Sequence, residues 1–217
     1  MAVIPDSVEI DYGPQRLKGL LAVPADANGL VIFAHGSGSG RMSPRNSRVA
    51  AALRNSGFAT LLLDLLAEEE EGHRAKVFDI ALLASRLSFA TDWALAQSET
   101  AYLPVGYFGA STGAAAAIVA AAVPRSPVAA VVSRGGRPDL AGDALLRLTA
   151  PTLLIVGSLD PEVLRLNRTA YDRLTAPKEL VTIKGAGHLF EEPGTLDRVQ
   201  DNAIRWFQYH LAGPGRE

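Results

Sequence analysis

Short apolar runs recur along this chain, and they constrain it more than any other feature. "GLVIFAHG", "FATLLLDLL", "VGYFG", "VAAVVS" and "PTLLIVG" each hold a run too continuous for a strand with one wet face, and "KELVTI" is a sixth, more mixed stretch. Strands buried on both faces read this way, because each must bury side chains above and below the sheet. Between the runs the spacing changes to that of helices. Ser43-Pro44 opens one helix that Gly57 closes. A second runs from Ala75 to about Gln97, with Val77, Ile80, Leu83, Leu87 and Ala94 at helical spacing. Others are expected over Thr112–Val123, from Pro161 to Leu174, and from Pro193 to Leu211, the last with Leu196, Val199, Ala203, Trp206 and His210 near one face. Strand and helix alternating in this way predict an α/β protein with a mainly parallel sheet covered on both faces. "SVEIDYG" and "RLKGLLAVP", which alternate apolar and polar residues around Gly13-Pro14, predict an antiparallel hairpin at one edge.

At 217 residues, with no internal repeat or linker, the chain is expected to form one domain over 1–217. A net charge of −2 implies no basic face, so nucleic acid is not an expected partner. There is no cysteine, which removes disulfides and thiolate chemistry. The first residues lack a basic stretch followed by a long apolar one, so no signal segment is expected. No apolar run reaches the roughly 18 residues of a spanning helix. The expected location is the cytoplasm, away from membranes. The four histidines are scattered, so neither metal nor cofactor is expected.

In a parallel sheet, the loops after the strands line the ligand crevice. The residues just beyond each run are therefore candidates for chemistry. After the first comes His35-Gly36-Ser37-Gly38, after the second Asp64, and after the third Gly109-Ala110-Ser111-Thr112-Gly113. The fourth is followed by Ser133-Arg134-Gly135-Gly136-Arg137, the fifth by Asp160 and the sixth by Gly185-Ala186-Gly187-His188. Ser111, Asp160 and His188 occur in the order of the α/β-hydrolase triad. A serine hydroxyl is a weak nucleophile until a base takes its proton. Histidine suits that task near neutral pH, and an aspartate fixes its tautomer. The glycines at 109 and 113 fit a strained turn that brings strand and helix close together. The backbone N–H groups of Ser37 and Thr112 are the expected oxyanion donors, each worth about 3–4 kcal/mol in the transition state.

Over nearly its whole length the chain resembles α/β-hydrolases of the dienelactone hydrolase family. The resemblance is carried by "FAHGSGSGRMSPRN", "YFGASTG", "SRGGRPDL", "LLIVGSLD" and "GAGHLFEEPG". It implies the α/β-hydrolase fold, with Ser111 as nucleophile, Asp160 as acid, His188 as base, and Ser37 and Thr112 as backbone donors. Dienelactone hydrolases proper use a cysteine nucleophile and a glutamate in the loop after the first parallel strand. This chain has Ser111, and Gly36 near the place of the glutamate. The expectation is therefore a serine carboxylesterase for small-molecule esters, working through an acyl-enzyme. Acyl transfer, thioester or amide cleavage, and ligand binding without turnover remain alternatives, because one triad serves several chemistries.

Arg41, Arg45, Arg134 and Arg137 fall in loops at the same end, and guanidinium groups suit an anionic substrate. The competing expectation pairs them with local acids such as Asp64 and Asp139. His35 is expected to hold the oxyanion loop, and Asp64 to orient a loop or cap a helix. His73 is expected at the surface, and His210 in packing or at the surface. The acidic run "AEEEEGH" at 67–73 is expected to be a solvated loop or a fraying helix start. No stretch is long enough for a large lid, so an open, modest pocket is expected.

Overall fold

The computed structural model describes residues 3–211; the ends of the expected 1–217 domain, including the first residues read for a signal segment, lie outside them. The frame is an eight-stranded sheet. Its strands are β1 (Asp6–Tyr12), β2 (Gln15–Ala22), β3 (Leu30–Ala34), β4 (Ala59–Leu63), β5 (Val105–Ala110), β6 (Val128–Arg134), β7 (Thr152–Gly157) and β8 (Lys178–Ile183). They lie in the order β1-β2-β4-β3-β5-β6-β7-β8. The β1–β2 hairpin is antiparallel and joins β4 antiparallel, and every pair from β4 to β8 is parallel. This is the α/β-hydrolase fold with its hairpin at the edge.

The continuous apolar runs are explained by two cores, one on each side of the sheet. Along β3, Leu30, Ile32 and Ala34 face one core while Val31 and Phe33 face the other. The first core is closed by α4 (Ile80–Leu95), α5 (Thr112–Ala121), α6 (Ala144–Arg147) and α7 (Pro161–Arg173). The second is closed by α1 (Pro44–Asn55) and α8 (Thr195–Leu211). α1 begins as its sequence implies: Ser43 Oγ accepts from the Asn46 N–H at 3.4 Å, and Pro44 occupies the first turn.

Three expectations are corrected. The helix expected from Ala75 is divided into α3 (Arg74–Val77) and α4, because Asp79 Oδ1 accepts from the Leu82 N–H at 2.9 Å and caps a new start. The acidic run folds into the short α2 (Glu68–Glu71) and is not wholly solvated. Glu70 is only 4% exposed. On α8 the buried line is Leu196, Val199, Ala203, Phe207 and Leu211, a spacing of three or four that leaves Trp206 and His210 stacked at its flank with rings 4.3 Å apart. Among the described residues no helix is long and apolar enough to cross a membrane.

Candidate active site

Ser111 joins β5 to α5 with φ 50° and ψ −123°. Such a backbone costs a non-glycine residue about 1–3 kcal/mol and persists only when the surroundings fix it. Here they do. The Ser111 carbonyl accepts from Ala114 N–H at 3.1 Å and from Arg137 N–H at 3.0 Å. A Cβ at Gly109 would lie 2.5 Å from Ala114 Cα, and one at Gly113 would lie 2.1 Å from the Ala34 carbonyl oxygen. The two glycines therefore let helix and strands close around the turn, and fully buried alanines at 114–117 continue that close approach.

The Thr112 N–H opens α5, where the helix dipole favours negative charge. The Ser37 N–H lies in the loop between β3 and α1. Neither amide donates to any group among the described residues. His35 explains how the second is aimed. Its Nδ1–H donates to the Gly36 carbonyl at 2.9 Å, while Nε2 accepts from the Leu65 N–H at 2.9 Å. Gly36 C=O and Ser37 N–H belong to one trans peptide, so holding the carbonyl back turns the amide the other way.

His188 lies in the loop between β8 and α8. Its Nδ1–H donates to Asp160 Oδ2 at 2.7 Å. Asp160 is itself the N-cap of α7, with Oδ1 accepting from Val163 N–H at 3.4 Å. The ring thus has its Nδ1 side fixed and Nε2 left to act as acceptor. The loop is pinned by Glu192, whose carboxylate accepts from Gly187 N–H at 3.0 Å, and by Phe190, buried in the second core with φ 56°. Ser111 Oγ makes no hydrogen bond to His188. The β6–α6 loop links their two neighbourhoods: Arg137 binds the Ser111 carbonyl, and a Cβ at Gly135 would lie 3.1 Å from the His188 carbonyl. A side chain at Gly36 would meet Ser111, its Cβ only 2.6 Å from that of the serine. A glutamate has no room there without a shift of the turn.

The four loop arginines separate. Arg41 is ion-paired with Asp64, which also accepts from the Arg41 N–H at 2.5 Å and so orients the loop. Arg137 pairs with Asp139 at 2.8 Å, and Arg45 with Glu191 at 3.1 Å. Arg134 is 7% exposed, and among the described residues no carboxylate pairs with it. It has Asn46 Oδ1 at 3.3 Å from Nη2 and the Phe190 ring 6.0 Å away. Burial pushes its pKa down to about 10, with Arg45 adding to the effect. His73 is exposed and apart from these groups.

Sequence reasoning missed one supporting group. Arg86 on α4, 2% exposed, meets Glu70 Oε2 at 2.5 Å and Oε1 at 3.0 Å. Arg86 Nη1 also donates to the Leu65 carbonyl at 2.9 Å. Leu65 N–H binds His35, so this ion pair supports the Ser37 loop through one residue. The available signal was an arginine three residues after Leu83, on the face of a helix that otherwise buries apolar side chains.

No family model matches the chain. A protein of Mycobacterium tuberculosis named "Putative phosphoribosyl transferase" is 59% identical over 210 residues, which is 97% of this chain and 47% of that protein. The chain thus spans about half the length of the first curated relatives it matches. The crystal structure of a dienelactone hydrolase from Anabaena variabilis is 52% identical, covers 97% of this chain and all of its own, and superposes with a TM-score of 0.94. The esterase Est1E from Butyrivibrio proteoclasticus, 17% identical over 95% of this chain and 99% of its own, shares the fold with a TM-score of 0.81.

Proposed function

This chain belongs to the dienelactone hydrolase family of α/β-hydrolases, and from that premise we propose that it is a serine carboxylesterase for small esters, acting through an acyl-enzyme on Ser111. The observation that carries the reading is the Ser111 turn: a serine held at φ 50° at the start of α5, beside two amides that donate to no group among the described residues.

His188 Nε2 takes the Ser111 proton as Oγ bonds to the ester carbonyl carbon, and the carbonyl electron pair moves onto oxygen. That oxyanion accepts from the Ser37 and Thr112 N–H groups. The alcohol leaves with its bonding electrons and takes the proton from His188. Water, deprotonated in turn by His188, then releases the acid. Asp160 keeps the ring oriented throughout. Ser111, and Gly36 with no room for a side chain, set the chain apart from dienelactone hydrolases proper. Dienelactone is accordingly not the proposed substrate. The transferase in the relative's name is not assigned to this segment, which accounts for 47% of that protein.

Of the four arginines, Arg41 and Arg137 are tied to Asp64 and Asp139. Arg45 is tied likewise to Glu191, which leaves Arg134 as the one assigned to an anionic group on the alcohol side of the ester.

A burst experiment with para-nitrophenyl acetate tests the acyl-enzyme. Wild type should release one equivalent of nitrophenol and then turn over. Ser111→Ala should lose the burst, with kcat lower by about 10⁴-fold or more. A variant that keeps both would overturn the reading.

A further inference from the structure

A small cavity lies beside the oxyanion loop, on the side of the sheet that α4 covers. It is lined by the residues from His35 to Ser39, by Thr112, and by the apolar residues Leu66, Val77 and Leu83. Both amides assigned to the oxyanion belong to residues in that wall. The cavity measures about 20 Å³, and about 10–15 Å³ is enough to seat one water-sized group. The apolar side chains come from three places: Leu66 follows β4, Val77 ends α3, and Leu83 lies in the first turn of α4.

We propose that this cavity is the acyl pocket of the site, and that Leu66, Val77 and Leu83 restrict the enzyme to short acyl groups, acetyl and propionyl. The assignment rests on the acyl-enzyme reading above. Its direction is set by where the proton must go. His188 protonates the leaving alcohol, so the alcohol must lie toward the β7 and β8 ends of the sheet. No residue of the Asp160 or His188 loops touches this cavity, which sits at the ends of β3 and β4 on the other side of Ser111. With the oxyanion held between Ser37 and Thr112, the remaining substituent of the carbonyl carbon points into the cavity. That substituent is the acyl chain. The wall is apolar there, so the chain should be unsubstituted alkyl.

Val77 is the residue to change, because it is half-buried on a four-residue helix and carries little of the core. kcat/KM would be measured on para-nitrophenyl acetate, propionate, butyrate and hexanoate. Wild type should fall about tenfold or more between propionate and butyrate, the scale on which a hydrophobic pocket responds to a methylene. Val77→Ala should raise the butyrate-to-acetate ratio about tenfold, and Val77→Phe should lower the propionate-to-acetate ratio. Thermal unfolding of both variants confirms that folded protein is compared. A second series keeps acetyl constant and lengthens the alcohol from methyl to butyl, with acid release followed by pH-stat. Unchanged acyl profiles in folded Val77→Ala and Val77→Phe would overturn the proposal, as would a shift confined to the alcohol series. Neither result touches the acyl-enzyme, which is judged separately by the Ser111→Ala burst.

Discussion

Two arginines are buried on opposite faces of the sheet, and they are held differently. Arg86, on α4, meets the Glu70 carboxylate through both terminal nitrogens and also binds Gln15 and the Leu65 carbonyl. Arg134, under α1, has an asparagine oxygen at 3.3 Å, an aromatic ring and a second arginine nearby. Burying a charge is costly unless it is paired. Arg86 is therefore a structural cation whose charge is cancelled where it stands. Arg134 leaves positive charge uncancelled at the end of β6, one residue before the loop that touches Ser111 and His188. Burial alone thus does not separate the two arginines; what separates them is the counter-charge that Arg86 has and that Arg134 lacks among the described residues.

The sharpest way to break this contrast is to remove each side chain in turn. Arg86→Met removes the buried cation from Glu70 and leaves only the more exposed Lys76 at 2.7 Å to balance that carboxylate, so it should cost about 3 kcal/mol in urea unfolding. Arg134→Met strands no carboxylate and should cost far less, or nothing. Equal losses would erase the distinction. If the Arg86 loss is mainly that of a stranded charge, Glu70→Met combined with Arg86→Met should recover much of it.

Acid titration gives a second contrast. Arg86 holds the Glu70 carboxyl well below the usual carboxylate range; burial opposes this, and Lys76, the Ala67 N–H and Gln15 add to the depression. A depressed folded pKa contributes stability that is present above the unfolded value of about 4.3 and is lost as pH falls toward the folded value. Wild-type unfolding free energy should hold from pH 7 to about 5 and decline below it. Glu70→Gln should start lower and decline less steeply over the same range. An identical slope in the two proteins would remove Glu70 from the account.

The smallest expected effect concerns Arg134 as a recognition group. Phenyl acetate and 4-acetoxybenzoate differ by one carboxylate on the alcohol side. Arg134→Gln should lower kcat/KM for the anionic ester about tenfold more than for the neutral one, the scale of a lost charge-assisted bond. Equal losses on both esters would return Arg134 to a purely structural role.

Much of the molecule could be read from neighbouring residues. The apolar runs of β3 to β7 predicted strands buried on both faces, because each residue in such a strand meets a core whichever way it points. Ser43, Pro44 and Gly57 marked the ends of α1, since caps act within one turn. The Gly-x-Ser-x-Gly stretch predicted a tight turn at 111, where only glycine flanks allow the approach of Ala34 and Ala114. Asp79 shows where local reading fell short: its cap sits inside a stretch whose apolar spacing reads as one helix, and the break is visible only in the hydrogen bond to Leu82.

By itself, then, the sequence determined the alternation of strand and helix, the edge hairpin and the order Ser, Asp, His along the strand ends. Those depend on periodicity and on signals a few residues apart. Only the tertiary structure decided which charges meet. Asp160 and His188 are 28 residues apart and Arg86 and Glu70 are 16 apart, while Arg45 finds Glu191 across 146. Partner choice at such separations is set by which strand ends the sheet order brings together, and by which ion loses its water on the way. No local pattern carries that information.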